Sequence, residues 1–313
     1  MNPLAAERPL SLQDVQEAAA RTAGRVRRTP VLPVGAGRWL KLEQLQHTGS
    51  FKARGAFNRQ LAARERGELD PVRGIVAASG GNAGLAHAHA AAELGVPATV
   101  FVPGTAPAVK VDRLRGLGAD VRLVGNEYAQ AHEAAVGFAE QRGAVFCHAY
   151  DQPEIAAGAG TLALELLEDV PDLDTVVVAV GGGGLFAGVA AALEGRVRVV
   201  AVETAGAPTL HRALAAGEPV DVAVSGVAAD SLGARRVGAI AFDLARRTSP
   251  VSLLVEDAAA TAARSELWSR FRVVAEHGAA TAWAGLGPGG YEPADGEQVA
   301  VVVCGANTDP ATL

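Results

Sequence analysis

The stretch KLEQLQHTGSFKARGAFN sets Lys52 between Phe51 and Ala53, after a turn-like His47-Thr48-Gly49-Ser50 and before a basic helix with Arg54 and Arg59. Taken alone, such a lysine reads as a solvated surface cation, because lysine is almost never buried unpaired. Other segments bear on whether it is instead held for chemistry. SGGNAG follows IVAA and opens a helix. Backbone N–H groups at a helix N-terminus attract anions, glycines let a ligand approach, and Ser79 and Asn82 add side-chain donors. The same residues also suit an ordinary capped turn. GGGGLFAG follows TVVVAV, and its run of Gly181, Gly182, Gly183 and Gly184 forfeits backbone entropy, as if something needs the space. No Gly-Lys-Ser/Thr follows, so it is not a Walker A loop. It does satisfy a loose dinucleotide fingerprint, with Gly182, Gly184 and Ala187 as G-x-G-x-x-A and Glu203 about 20 residues on. It would equally cradle a single phosphate. Cys304, ending the run VVVC, is either a small buried apolar residue or a thiol facing a site from a strand end. The seven histidines show no ligand spacing: His87 and His89, two apart on a helix, point to different faces. No G-x-S-x-G motif marks a nucleophile–His–acid triad.

The elements that must position these residues follow one rhythm of short apolar strand, Gly-rich turn and Ala-rich helix. It runs through GIVAASGGNAGLAHAHAAAELG, PATVFVP, VKVDRLRGLG, ADVRLVG, EYAQAHEAAVGFAEQRG and AVFCHAY. It restarts with AAGAGTLALELLEDV, DTVVVAV, GGGGLFAGVAAALEG and RVRVVAVE, and closes with EQVAVVVCGANTD. Val/Ile strands alternating with helices predict α/β folding on mostly parallel sheets covered on both faces. Two such units meet near residue 150, and SLQDVQEAAARTAG ahead of them reads as an amphipathic helix with a capping-box start. In open parallel sheets ligands bind at the carboxyl ends of strands, where residues 79–84, 181–184 and 304–307 all fall.

At 313 residues and 49% hydrophobic composition, the chain is long enough for sizeable cores and too apolar for disorder. Net charge is −6, and its Arg-rich pieces are short and interleaved with acids, which argues against a nucleic-acid partner. No apolar run approaches the ~20 residues of a membrane helix, and no signal-peptide pattern opens the chain. Cys147 and Cys304 show neither metal spacing nor a disulfide framework. The expectation is a soluble, cytoplasmic protein with no membrane partner.

Together the three motifs resemble the fold-type II pyridoxal-phosphate enzymes, which include serine and threonine dehydratases, serine racemase and threonine synthase. KLEQLQHTGSFKARGA resembles their Schiff-base segment, ASGGNAGLAHAHAAAELGVPATVFVP their substrate-carboxylate loop, and VGGGGLFAGVA their phosphate loop. The similarity runs from about Pro30 to Asn307. AVETAGAPTLHRAL, ADSLGARRVGA and VVVCGAN bring it nearest to the serine dehydratase-like, or L-serine/L-threonine ammonia-lyase, branch. The resemblance implies two doubly wound α/β domains of the tryptophan synthase β-like kind with the site between them. Residues 1–44 with 151–313 would form the large cofactor domain, and residues 45–150 the small domain. It implies pyridoxal 5'-phosphate bound to Lys52, with Phe51 beside the ring and Gly181 to Gly184 on the phosphate. Asn82 would meet the ring hydroxyl and Cys304 the pyridine nitrogen. Ser79, Gly80, Asn82 and Ala83 would grip the substrate carboxylate. Glu203, with carbonyls near Ala207, Leu232 and Ala234, would hold a monovalent or divalent cation such as K+ or Mg2+. A homodimer acting on a small hydroxy amino acid is the implied assembly.

The implied chemistry is β-elimination of water from L-serine or L-threonine, giving a 2-oxo acid and ammonia. A desolvated lysine loses proton affinity and can serve as imine former and base. A thiol is only a weak donor to the pyridine nitrogen, which favours prompt elimination. The chain departs from the family pattern in two places. EHGAA keeps Glu276 but loses the usual proline, and Gly80 stands where racemases carry a proton-donating serine. Racemisation is therefore not expected. With little chain after Asn307, neither is feedback control through a regulatory domain. The competing readings are a 3-hydroxyaspartate ammonia-lyase, a Rossmann-type NAD(P) oxidoreductase using Gly182, Gly184, Ala187 and Glu203, and a silent amino-acid-binding relative. Yellow colour bleached by borohydride would separate the lyases from the oxidoreductase.

Overall fold

The computed structural model describes residues 8–35, 37–287 and 289–312. Helix α1 (Leu12–Thr22) starts where the N–H and hydroxyl of Ser11 donate to the Asp14 carboxylate, at 2.9 and 2.6 Å. A hairpin of β1 (Val31–Gly35) and β2 (Arg38–Lys41) precedes α2 (Lys52–Glu65). The first α/β run comprises β3 (Ile75–Ala78), α3 (Asn82–Leu94), β4 (Ala98–Val102), α4 (Ala108–Gly116), β5 (Asp120–Leu123), α5 (Tyr128–Arg142) and β6 (Val145–Cys147). The second comprises α6 (Pro153–Asp169), β7 (Thr175–Ala179), α7 (Gly184–Leu193), β8 (Arg198–Thr204), α8 (Thr209–Ala216) and α9 (Ala239–Thr248). It closes with β9 (Val251–Val255), α10 (Asp257–Phe271), α11 (His277–Ala284) and β10 (Val299–Val302).

The strands form two sheets, one per domain. The smaller is all parallel, in the order β5-β4-β3-β6. The larger runs β1-β2-β10-β7-β8-β9, parallel except for the antiparallel β1–β2 edge. Each residue of β3, β7 and β10 is buried, as expected for Val-rich strands covered on both faces. Helix α7 is also buried along its whole length. Its Ala/Gly composition lets it pack against α6 backbone to backbone: a Cβ on Gly188 would lie 2.1 Å from the Ala156 carbonyl oxygen. The N-terminal helix α1, free in sequence to dock on either unit, lies on α6, α2 and α7. No helix among the described residues is long and apolar enough to cross a membrane.

Behind α2 lies a buried charge cluster. Arg54, with no exposed side-chain surface, bonds Glu43 and Glu165 at 2.7 Å each, and Lys41 reaches Glu165 at 2.6 Å. The Arg54 guanidinium also donates to the Thr161 hydroxyl and the Arg27 carbonyl. Opposite charges in equal number satisfy one another here, which is the condition for burying ions at all. The cluster ties β2, α2 and α6 together two residues from Lys52.

Candidate active site

Phe51 and Lys52 begin α2 directly against the end of β10. The Phe51 N–H donates to the Cys304 carbonyl at 3.0 Å, and Ser50 bridges Gly305. Lys52 is half-buried, its Nζ donating to the Ala149 carbonyl at 2.8 Å and lying 5.0 Å from the Phe51 ring centroid. Burial pulls its amine down to about 8, against the opposing influence of the nearby Cys304 and Glu276 side chains. It is therefore not the solvated cation that the lysine alone suggests. Burial pushes the Cys304 thiol far up, and charge on Glu276 adds to this, so the thiol is neutral.

Asn82, the first residue of α3, faces across to the other domain. Its Nδ2 donates to Glu276 Oε1 at 2.8 Å, and its Oδ1 accepts from Asn307 Nδ2 at 2.7 Å. Glu276 precedes α11, and its N–H donates to the Gly305 carbonyl at 3.0 Å. Burial raises its carboxyl to about 7, while the Asn82 hydrogen bond and the Lys52 charge act in the opposite sense. The missing proline thus does not remove Glu276 from this constellation. A cleft beside these groups is lined by Gly80, Gly81, Asn82, Glu276, Asn307 and Arg113, with Lys110 and Asp230 paired at the same cleft. Ser79 Oγ accepts the Gly81 N–H at 3.2 Å, which leaves its hydroxyl hydrogen for another acceptor. Ala83, next on α3, is buried. A Cβ at Gly80 would meet only the Val102 side chain, at 3.4 Å, so the backbone here does not itself demand glycine.

The glycine run turns from β7 into α7, with Gly183 at φ 90° as the residue before the helix. A side chain at Gly182 would strike the Tyr150 ring at 2.4 Å, one at Gly183 would meet Ala241 at 2.4 Å, and one at Gly181 would meet Leu232 at 2.9 Å. The loop is therefore pressed against its neighbours, and with no side chains its functionality is backbone N–H at a helix start. An amine of lowered basicity, a neutral thiol, an amide donor and an all-glycine helix start together suit a pyridine ring bearing an aldehyde and a phosphate.

Glu203 lies on β8. It is fully buried at the end of β8, and its carboxylate accepts the N–H groups of Leu210 at 2.8 Å and His211 at 2.7 Å and the Thr209 hydroxyl at 3.0 Å. It caps α8. The Thr209 hydroxyl also lies 2.5 Å from the Gly181 carbonyl, which links this cap to the glycine loop. Ala207, Leu232 and Ala234 are half-buried or buried around the same loop, and the Ala207 carbonyl receives the Thr209 N–H at 3.2 Å. Among the described residues no three His, Cys, Asp or Glu side chains gather as a metal site. Asn307, Arg113, Lys110, Asp230 and Tyr150 were not singled out from the sequence. Each meets its partner across a long chain separation, which no local pattern signals.

A family model described as pyridoxal-phosphate dependent enzyme matches residues 23–305. The chain belongs to that family. It is 37% identical over 314 residues to an L-threonine ammonia-lyase of Thermotoga maritima, covering 96% of this chain and 76% of that one. A phenylserine dehydratase of Ralstonia pickettii is 36% identical over 304 residues, covering 94% and 92%. Among solved structures, maize serine racemase superposes with a TM-score of 0.90 at 29% identity, covering 97% and 96%. These pyridoxal-phosphate enzymes share the two-domain tryptophan synthase β-like fold, and the nicotinamide reading of the glycine loop is set aside. The protein is an enzyme that uses pyridoxal 5'-phosphate and acts on a small amino acid.

Proposed function

We propose that this enzyme deaminates L-threonine and L-serine, eliminating the β-hydroxyl as water to give a 2-oxo acid and ammonia. The observation that carries the reading is Lys52, a half-buried amine of lowered basicity facing Cys304 and Glu276, in a chain akin to threonine ammonia-lyases over nearly its whole length. Bound pyridoxal phosphate supplies the electron sink that acidifies the substrate Cα–H. Lys52 would hold the cofactor and, as a neutral amine, would take up the Cα proton. Phe51 would flank the ring, Asn82 would donate to its hydroxyl, and the N–H groups after Gly181, Gly182, Gly183 and Gly184 would hold the phosphate. The neutral Cys304 thiol would offer the pyridine nitrogen a weak hydrogen bond rather than a full proton. Ser79, Gly80, Asn82 and Ala83, at the start of α3, take the substrate carboxylate.

The cleft wall bears on substrate choice. It is made mainly of polar and charged side chains, with Leu85 as its apolar contribution, which suits a small or polar β-substituent better than the aryl group of phenylserine. Gly80 leaves no side-chain acid on the face opposite Lys52, which supports elimination without racemisation.

The test is one panel. Purified protein is given threonine, serine, 3-hydroxyaspartate and phenylserine, and 2-oxo acid release is followed with chiral analysis of the remaining substrate. Threonine and serine should be consumed with negligible D-isomer, and a folded Lys52→Ala protein should be inert. Near-normal turnover by Lys52→Ala, or appreciable D-serine from the parent, sinks the reading.

A further inference from the structure

Four polar side chains run in single file into the site. Arg113 Nη2 donates to Asn307 Oδ1 at 2.5 Å, Asn307 Nδ2 to Asn82 Oδ1 at 2.7 Å, and Asn82 Nδ2 to Glu276 Oε1 at 2.8 Å. Each step crosses between the domains: from α4 to the loop after β10, back to α3, and over again to α11. An asparagine amide offers N–H at one end and C=O at the other, and its sense is set by partners that cannot exchange roles. The Arg113 guanidinium only donates, and the Thr48 carbonyl, 2.8 Å from Asn307 Nδ2, only accepts. Asn307 must therefore offer N–H to Asn82, and Asn82 must offer N–H to Glu276. Both amide dipoles then point from a cation toward a carboxylate, and bonds so aligned polarise one another.

We propose that Arg113 is a positioning residue for this enzyme: it anchors the amide file, so that Asn82 presents N–H to the cofactor and Glu276 stays the ionised acceptor at the far end. The inference rests on the deaminase reading in taking Asn82 as a cofactor contact. Several groups face Glu276 and share control of its charge. Asn82 faces it from α3, Lys52 from α2, Asp230 from the segment between α8 and α9, and the backbone N–H of Asn307 from the loop after β10. From α4, Lys110 is matched by Asp230, whereas the hydrogen bond of Arg113 ends on a neutral amide. Arg113 thus contributes charge that no carboxylate in the file cancels before Glu276.

Three holoenzyme variants test this: Arg113→Met removes donor and charge, Arg113→Gln keeps a neutral donor, and Arg113→Lys keeps a cationic one. With threonine, Arg113→Met should lower kcat about tenfold, hold KM within about twofold, and move the acid limb of the kcat profile to higher pH. The absorption maximum of the bound cofactor should shift, a readout that needs no substrate. Arg113→Gln should move the acid limb alone, and Arg113→Lys should restore both. A cation that gripped substrate would raise KM and leave limb and spectrum in place. A merely structural one would give Lys and Met variants the same profile. Either result overturns the proposal, as does an unchanged spectrum and kcat in Arg113→Met. Should Arg113→Met fail to fold, the contrast between Gln and Lys still decides. If the parent itself fails on threonine while the spectral contrast persists, the substrate reading has failed and the positioning role stands.

Discussion

The amine of Lys52 meets two opposing influences, burial that discourages its charge and nearby Cys304 and Glu276 that encourage it, and burial prevails. A lysine whose folded value falls from 10.5 to about 8 gains its neutral form in step with pH through that value. The neutral fraction is about a tenth at pH 7 and about nine-tenths at pH 9, given a single site titrating at that value. Capture of added pyridoxal phosphate by the apoenzyme, followed as growth of cofactor absorbance, should therefore quicken about tenfold over that interval and then level off. A rate still climbing in proportion to hydroxide at pH 10 would mean an ordinary lysine.

At the scale of elements, the contact of α6 with α7 sets how firmly the glycine loop is seated. Gly160 and Gly188 face each other so closely that a Cβ on Gly160 would lie 2.4 Å from the Gly188 carbonyl oxygen. Gly188→Ala should cost about 1–3 kcal/mol through overpacking, read as a lower denaturant midpoint with the slope unchanged. An alanine as stable as the parent would show that the helices can part. The alternating elements of both runs were legible in the sequence, since Val-rich strands and Ala-rich helices change period at each glycine turn. The β1–β2 hairpin and α8 to α11 with β9 were not read, because short or weakly patterned segments carry no such contrast. Missing α8 had a consequence: the hydrogen bonds of the Glu203 carboxylate to the start of that helix could not be read from the sequence. Lys52, Asn82, Cys304 and the glycine run stand out in the sequence by type and order, while Arg113 and Asn307 come together only through the fold.

For the whole molecule, the Arg54 cluster is the joint between the N-terminal segment, α2 and the large domain. Removing one ion from a buried set leaves its partners uncompensated, so Arg54→Met should destabilise by about 3–5 kcal/mol. Thermal unfolding of the variant at low and high salt checks this, and the loss should be nearly the same at both, because buried pairs are little screened. A large salt dependence would place the cluster in contact with solvent. The sheet order has a consequence of another kind. Strand β10, from residues 299–302, inserts between β2 and β7, so the middle of the larger sheet is supplied by a strand made after all its neighbours. During synthesis the four-stranded sheet, complete by residue 147, can close while the other waits with an open seam. A nascent chain paused on the ribosome before β10 emerges would present two unpaired edges, the Val-rich β7 and the Arg-Trp-Leu-Lys strand β2. Those edges, and not the finished enzyme, are where chaperones and misassembly would meet this protein.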